Sequence, residues 1–133
     1  MTTTPRRLQM LRVCLVVIGI LSMALGPLML FWPTGWRWDP HHVHYEQMMV
    51  GIYFTLGVFL IRAARDPLHN LSLIWFMVWS SLVHASIMAV QALSAPEHTG
   101  HLFADVPALF IAAAVLGTLT PRTPLRVARE RPT

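Results

Sequence analysis

The sequence predicts an all-α protein, a four-helix transmembrane up-down bundle with both termini in the cytoplasm. Three observations predict it. Of 133 residues, 55% are apolar and only 12% charged, with a mean hydropathy of +0.54; a soluble domain carries about 25% charge. The apolar residues gather into four long runs separated by short, turn-rich breaks. All ten basic residues are arginine, and nine of them fall on one side once the runs are drawn as spans. Under the positive-inside rule that side is the cytoplasm.

The first span is expected over 12–32, after a cytoplasmic segment of residues 1–11. Pro27 should bend its last turns. The run is longer than the apolar core of a signal peptide and ends in Pro-Leu-Met-Leu-Phe-Trp-Pro, without a small-x-small cleavage pattern. It therefore reads as a retained helix. Trp32, Trp36 and Trp38 share the following loop with Pro33, Gly35 and Pro40, as at a membrane interface. The second span covers 45–61 and stops before Arg62-Ala63-Ala64-Arg65-Asp66-Pro67. Arg65, Asp66 and Pro67 read as a structural turn, with Asp66 accepting backbone N–H groups at the start of the third helix and Pro67 in its first turn. The third span covers 71–93 and the fourth 102–119. About 20 residues cross a ~30 Å hydrocarbon core, so the second and fourth spans must stand upright or extend into their flanks. Residues 120–133 form a basic cytoplasmic tail.

Charge and cysteine content narrow the function classes. The net charge of +4 comes from arginines at the chain ends and in one loop, not from one basic face, so no nucleic-acid partner is expected. Cys14 is alone, which excludes an internal disulfide and a cysteine-only metal site. The expected partners are the lipid bilayer and either a second copy or another membrane protein. The expected location is the bacterial inner membrane, multi-pass.

Polar groups inside apolar runs are costly, so they mark where chemistry would lie. His84 is the deepest titratable residue, and it shares a helix face with Met88 and Gln91 at i, i+4, i+7. On the second helix, Glu46, Met49, Tyr53 and Gly57 trace one stripe. Matching depths would pair Tyr53 with His84 and Glu46 with Gln91, giving an outward-opening polar cluster of Glu46, Tyr53, His84 and Gln91. His101 and Asp105 stand one turn apart before the fourth helix.

Three readings of these groups stay open. As a structural cluster they satisfy one another by interhelical hydrogen bonds, each worth ~0.6–2 kcal/mol. As a metal site, His44, Glu46, His84, His101 and Asp105 offer imidazole and carboxylate ligands for zinc, copper or iron. The run His41-His42-x-His44-x-Glu46 has ligand types but no helical ligand spacing. As a quinone pocket, His84 or Tyr53 would donate a hydrogen bond between flanking tryptophans. A haem bridged by two histidines is disfavoured, since no second histidine lies inside a span. No nucleophile triad or phosphate loop is present to name an enzyme, and no cofactor is specified. The structural, accessory reading is favoured because no ligand pattern is complete.

Several segments resemble a bacterial family of uncharacterised small four-helix membrane proteins, a domain of unknown function. They include Tyr45-Glu46-Gln47-Met48-Met49, Ala63-Ala64-Arg65-Asp66-Pro67, Trp79-Ser80-Ser81-Leu82-Val83-His84-Ala85 and Gly100-His101-Leu102-x-x-Asp105-Val106-Pro107. The resemblance covers about residues 10 to 120 and implies the fold, with no family activity to carry over. A looser similarity to the DoxX-like group rests on four short helices and transfers no residue role.

Overall fold

The computed structural model describes residues 4–31, 43–94 and 96–122. The tryptophan-rich loop, Arg37, His41, His42 and the tail beyond Arg122 lie outside them, as does the side chain of His98. Five α-helices are present among the described residues: α1 (Pro5–Met23), α2 (Leu25–Phe31), α3 (Val43–Ala63), α4 (Leu71–Ser94) and α5 (Asp105–Leu119). Two 3-10 segments, Pro67–Asn70 and Pro96–Phe103, precede α4 and α5.

The first apolar run is divided, and Pro27 is the reason. Proline has no N–H to give the carbonyl four residues earlier, here Met23, and its ring clashes with that carbonyl. The chain resolves this by ending α1 at Met23 and restarting at Leu25, so that Pro27 sits in the first turn of α2. Only Ala24 separates the two, and its N–H still donates to Ile20 O at 2.9 Å. The last run is extended instead. Its 3-10 turns rise about 2.0 Å per residue against 1.5 Å in an α-helix, adding reach to the short α5. Among the described residues, three helical stretches are long and apolar enough to cross a membrane: Glu46–Ala63, Pro67–Ser94 and Thr99–Leu119.

The packing is uneven. The backbones of α1 and α3 approach closely, as do those of α4 and α5, whereas α3 and α4 meet mainly through side chains. The α1–α3 approach depends on two glycines. A Cβ on Gly57 would lie 2.5 Å from Gly19 O, and one on Gly19 would lie 2.9 Å from Gly57 O. Small residues allow this backbone contact.

The apolar core gathers at one end of the bundle. Leu11 and Leu15 from the start of α1 meet Leu60 and Ala64 from the end of α3, Ile74 and Met77 from the start of α4, and Leu116 from the end of α5. Arg7 ties the same end together. Its guanidinium donates to Leu119 O at 3.0 Å and to Thr118 O, carbonyls at the C-terminus of α5. Those carbonyls have no helical donor and carry the negative end of the helix dipole. Nearby, the Trp75 indole N–H donates to Pro121 O at 3.2 Å. Arg7→Gln should lower stability by about 1–3 kcal/mol through loss of a charge-assisted hydrogen bond, read as the midpoint of unfolding in detergent. An unchanged midpoint would show that water replaces the clamp.

The surface is apolar around the middle, with Val17, Ile52, Phe76, Val83, Ile87 and Ile111 all exposed. Exposed hydroxyls are satisfied within their own helices: Thr55 donates to Gly51 O, Ser86 to Leu82 O and Ser94 to Val90 O, at 2.9, 2.8 and 2.7 Å. Each of these hydroxyls bonds a backbone carbonyl one turn earlier in its own helix.

The turn before α4 departs from expectation. Asp66 occupies the position before Pro67, but its side chain makes no capping hydrogen bond. The carboxylate instead accepts from His69 Nδ1 at 2.7 Å, while Asn70 Nδ2 donates to the Asp66 carbonyl at 2.8 Å. The 3-10 geometry brings the i+3 side chain directly over Asp66, so the histidine reaches the carboxylate. Both partners are largely exposed. Asp66→Ala should therefore cost under about 1 kcal/mol, the scale of a surface pair.

Candidate functional site

The end of the bundle away from the core holds the polar groups. The 3-10 segment Pro96–Phe103 runs into α5 through Ala104, and this junction places His101 and Asp105 one turn apart, on the inside. His101 is 2% exposed and Asp105 6%. The His101 Nδ1–H donates to Asp105 Oδ2 at 2.9 Å, and the Val106 backbone N–H donates to Asp105 Oδ1 at 2.9 Å. A buried carboxyl is tolerated here because each oxygen meets a donor.

Tyr53 from α3 and His84 from α4 form the second element. Their rings meet edge to face, with centroids 6.1 Å apart and planes at 72°, the arrangement that sets a positive ring edge against a negative face. Both are half-buried, and the Asp105 carboxyl lies within electrostatic reach of both. Tyr53, His84, His101 and Asp105 thus come from α3, α4, the 3-10 segment and α5 to one region.

The other sequence candidates lie differently. Gln91 is exposed on α4. The buried stripe of α4 runs Ile74, Met77, Val78, Ser81, Ala85, Met88 and Ala92. His84 and Gln91 both stand at its margin, and Tyr53 covers only the former. Glu46 is half-buried near the start of α3, and His44 is exposed there. Among the described residues, no three His, Cys, Asp or Glu side chains gather as a metal-ligating group. The five candidate ligands are not assembled as a set.

Beside the cluster runs a half-open cleft of about 510 Å³ between α1, α2 and α5. Its walls include Val17, Leu21, Leu28 and Ala112, and Tyr53 and Asp105 contribute to its lining. The sequence reading missed this cleft, because it looked for partners on the second and third helices. The small residues Ala108 and Ala112 line its open space.

Residues 3–131 match a family model described as a family of unknown function. The chain belongs to the DUF6632 family. That match spans nearly the whole chain, so the bundle, the Tyr53–His84 contact and the His101–Asp105 pair all fall inside the DUF6632 region. No curated protein and no solved structure matches the chain. The family is uncharacterised, and the chemistry of this member is argued from its own residues.

Proposed function

We propose that this DUF6632 protein is a four-span, multi-pass protein of the bacterial inner membrane with an accessory or structural role. In this reading α1 and α2 together make the first span, and α3, α4 and α5 with its 3-10 lead make the others. The helices run up and down, with both termini cytoplasmic. The buried His101–Asp105 pair and the Tyr53–His84 contact then lie in the outer half, where the first ties the 3-10 lead to α5 and the second sets α3 against α4.

The observation that carries the reading is the shared core end. The start of α1, the end of α3, the start of α4 and the end of α5 meet there, and Arg7 binds the last carbonyls of α5. Arg62 stands in the last turn of α3 and Arg65 follows it at that end, and Arg6, Arg7 and Arg12 stand at the start of α1. Arginine on one side of the bilayer sets orientation. An accessory role is supported by the satisfied hydrogen bonding of Asp105, which needs no metal or substrate to be stable.

Reporter fusions test the orientation. A fusion after Thr133 should report a cytoplasmic location and one inserted between Pro33 and Pro40 a periplasmic one. A periplasmic C-terminus would overturn the topology.

A further inference from the structure

We infer that the cleft between α1, α2 and α5 is a lateral binding site for a neutral, hydroxyl-bearing amphiphile with a long apolar tail. The inference rests on the membrane reading above and adds a ligand to it. Ligand pockets span about 300–1,000 Å³, and this one encloses about 510 Å³. Its shape is set by the helices. Asp105 and Val115 both line it, so it follows α5 for ten residues, or about 15 Å. A long, narrow space parallel to the helices suits a chain, not a compact solute.

The polarity is asymmetric along that length. Asp105 lines the cleft at the start of α5, and Tyr53 shares the lining with it. Further along, Ala108, Ala112 and Val115 on α5 face Val17 and Leu21 on α1. A head group would therefore sit at the Asp105 end with its tail along α5. Asp105 already accepts from His101 and Val106, but a carboxylate has about four acceptor sites. A hydroxyl can donate to it and accept from the Tyr53 O–H. Among the described residues, no arginine lines the cleft. An anionic phosphate or carboxylate head would face acceptor oxygens without a cation in a low-dielectric site, which is costly. Hence the head is neutral. Two sources share this chemistry: a hydroxylated lipid such as a monoacylglycerol, and a long-tailed hydroquinone.

Cys14 provides the readout, being the sole cysteine and part of the cleft wall. Membranes carrying the full chain are first washed with carbonate; the chain is then purified in mild detergent and labelled with N-ethylmaleimide, followed by intact mass. Monoolein, decylubiquinol, oleate at alkaline pH and hexadecane are the probes. Monoolein, decylubiquinol or both should slow labelling severalfold, and the one that acts at lower concentration identifies the source. Oleate and hexadecane should protect weakly. Tyr53→Phe should weaken the effective probe about five- to tenfold, the loss of one hydrogen bond. Ala112→Leu should abolish protection by filling the cleft while the unfolding midpoint stays near that of the parent. Protection by hexadecane equal to that by monoolein, or affinity unchanged in Tyr53→Phe, would overturn the proposal. So would the absence of protection by any probe in a carbonate-resistant membrane protein. A chain released by carbonate would instead overturn the membrane reading itself.

Discussion

Gly57→Ala should destabilise the bundle, and Gly57→Leu should prevent α1 from packing on α3. The new Cβ would lie 2.5 Å from Gly19 O and 2.6 Å from Met23 Cγ. The methionine side chain can turn away, but the carbonyl belongs to a helix backbone and cannot. Overpacking costs about 1–3 kcal/mol, occasionally more. Alanine's better helix propensity returns only ~0.5–1 kcal/mol. The clash therefore wins, and leucine removes any compromise. Gly19→Ala should behave alike, since its Cβ would meet Ile61 Cγ1 at 2.7 Å and Gly57 O at 2.9 Å. Gly51→Ala is the control on the same helix: nothing lies within 4 Å of a Cβ there. It should be neutral or slightly stabilising. Denaturant titration of the three variants in detergent measures the order. Equal stability of Gly57→Ala and Gly51→Ala would show that α1 and α3 do not touch through these glycines.

Asp105→Ala should be comparably severe, by a different route. It removes the acceptor of His101 Nδ1 at 2.9 Å and of the Val106 N–H at 2.9 Å. His101 is 2% exposed, so water cannot easily replace the lost partner. A buried donor left unsatisfied costs about 1–3 kcal/mol. Two donors are stranded here, so the expected loss lies at the upper end of that range. His101→Ala strands the carboxyl instead and should cost a similar amount. The double variant should cost less than the sum of the singles, since each single leaves an orphan that the double does not. Strict additivity would mean that the two side chains do not depend on each other. Asp105→Asn keeps an acceptor oxygen and should recover part of the loss.

The site was partly legible before the fold was known. Tyr53 and His84 stand out because a phenol and an imidazole inside apolar runs need partners that lipid does not supply. Counting residues from the same end of adjacent helices set them at similar depth, and their rings meet at 6.1 Å. The same count suggested Gln91, which is exposed. Depth along a helix is a matter of arithmetic, but facing depends on how far apart two helices stand, and α3 and α4 approach less closely than α1 and α3. Gly19 carried a weak signal: it lies seven residues after Arg12, and Gly57 lies five before Arg62. Similar depth from one surface could have paired them.

What the sequence determined by itself is the all-helical class and, of the four spans it led one to expect, the three that are of membrane-crossing length among the described residues, because both follow from runs of apolar residues and from the breaks between them. The interruption near Pro27 is also local, since a missing N–H and a ring clash act within one turn. Tertiary structure alone decided the rest. Arg7 reads as one more arginine beside an apolar run until α5 brings the Leu119 carbonyl to it across 112 positions. Asp66 looks like a helix cap until the 3-10 turn offers it His69. The cleft exists only because α1, α2 and α5, far apart in the chain, stand beside one another without closing the space between them. Local propensity acts over a few residues, whereas partners, exposure and empty volume are properties of surfaces that meet only after folding.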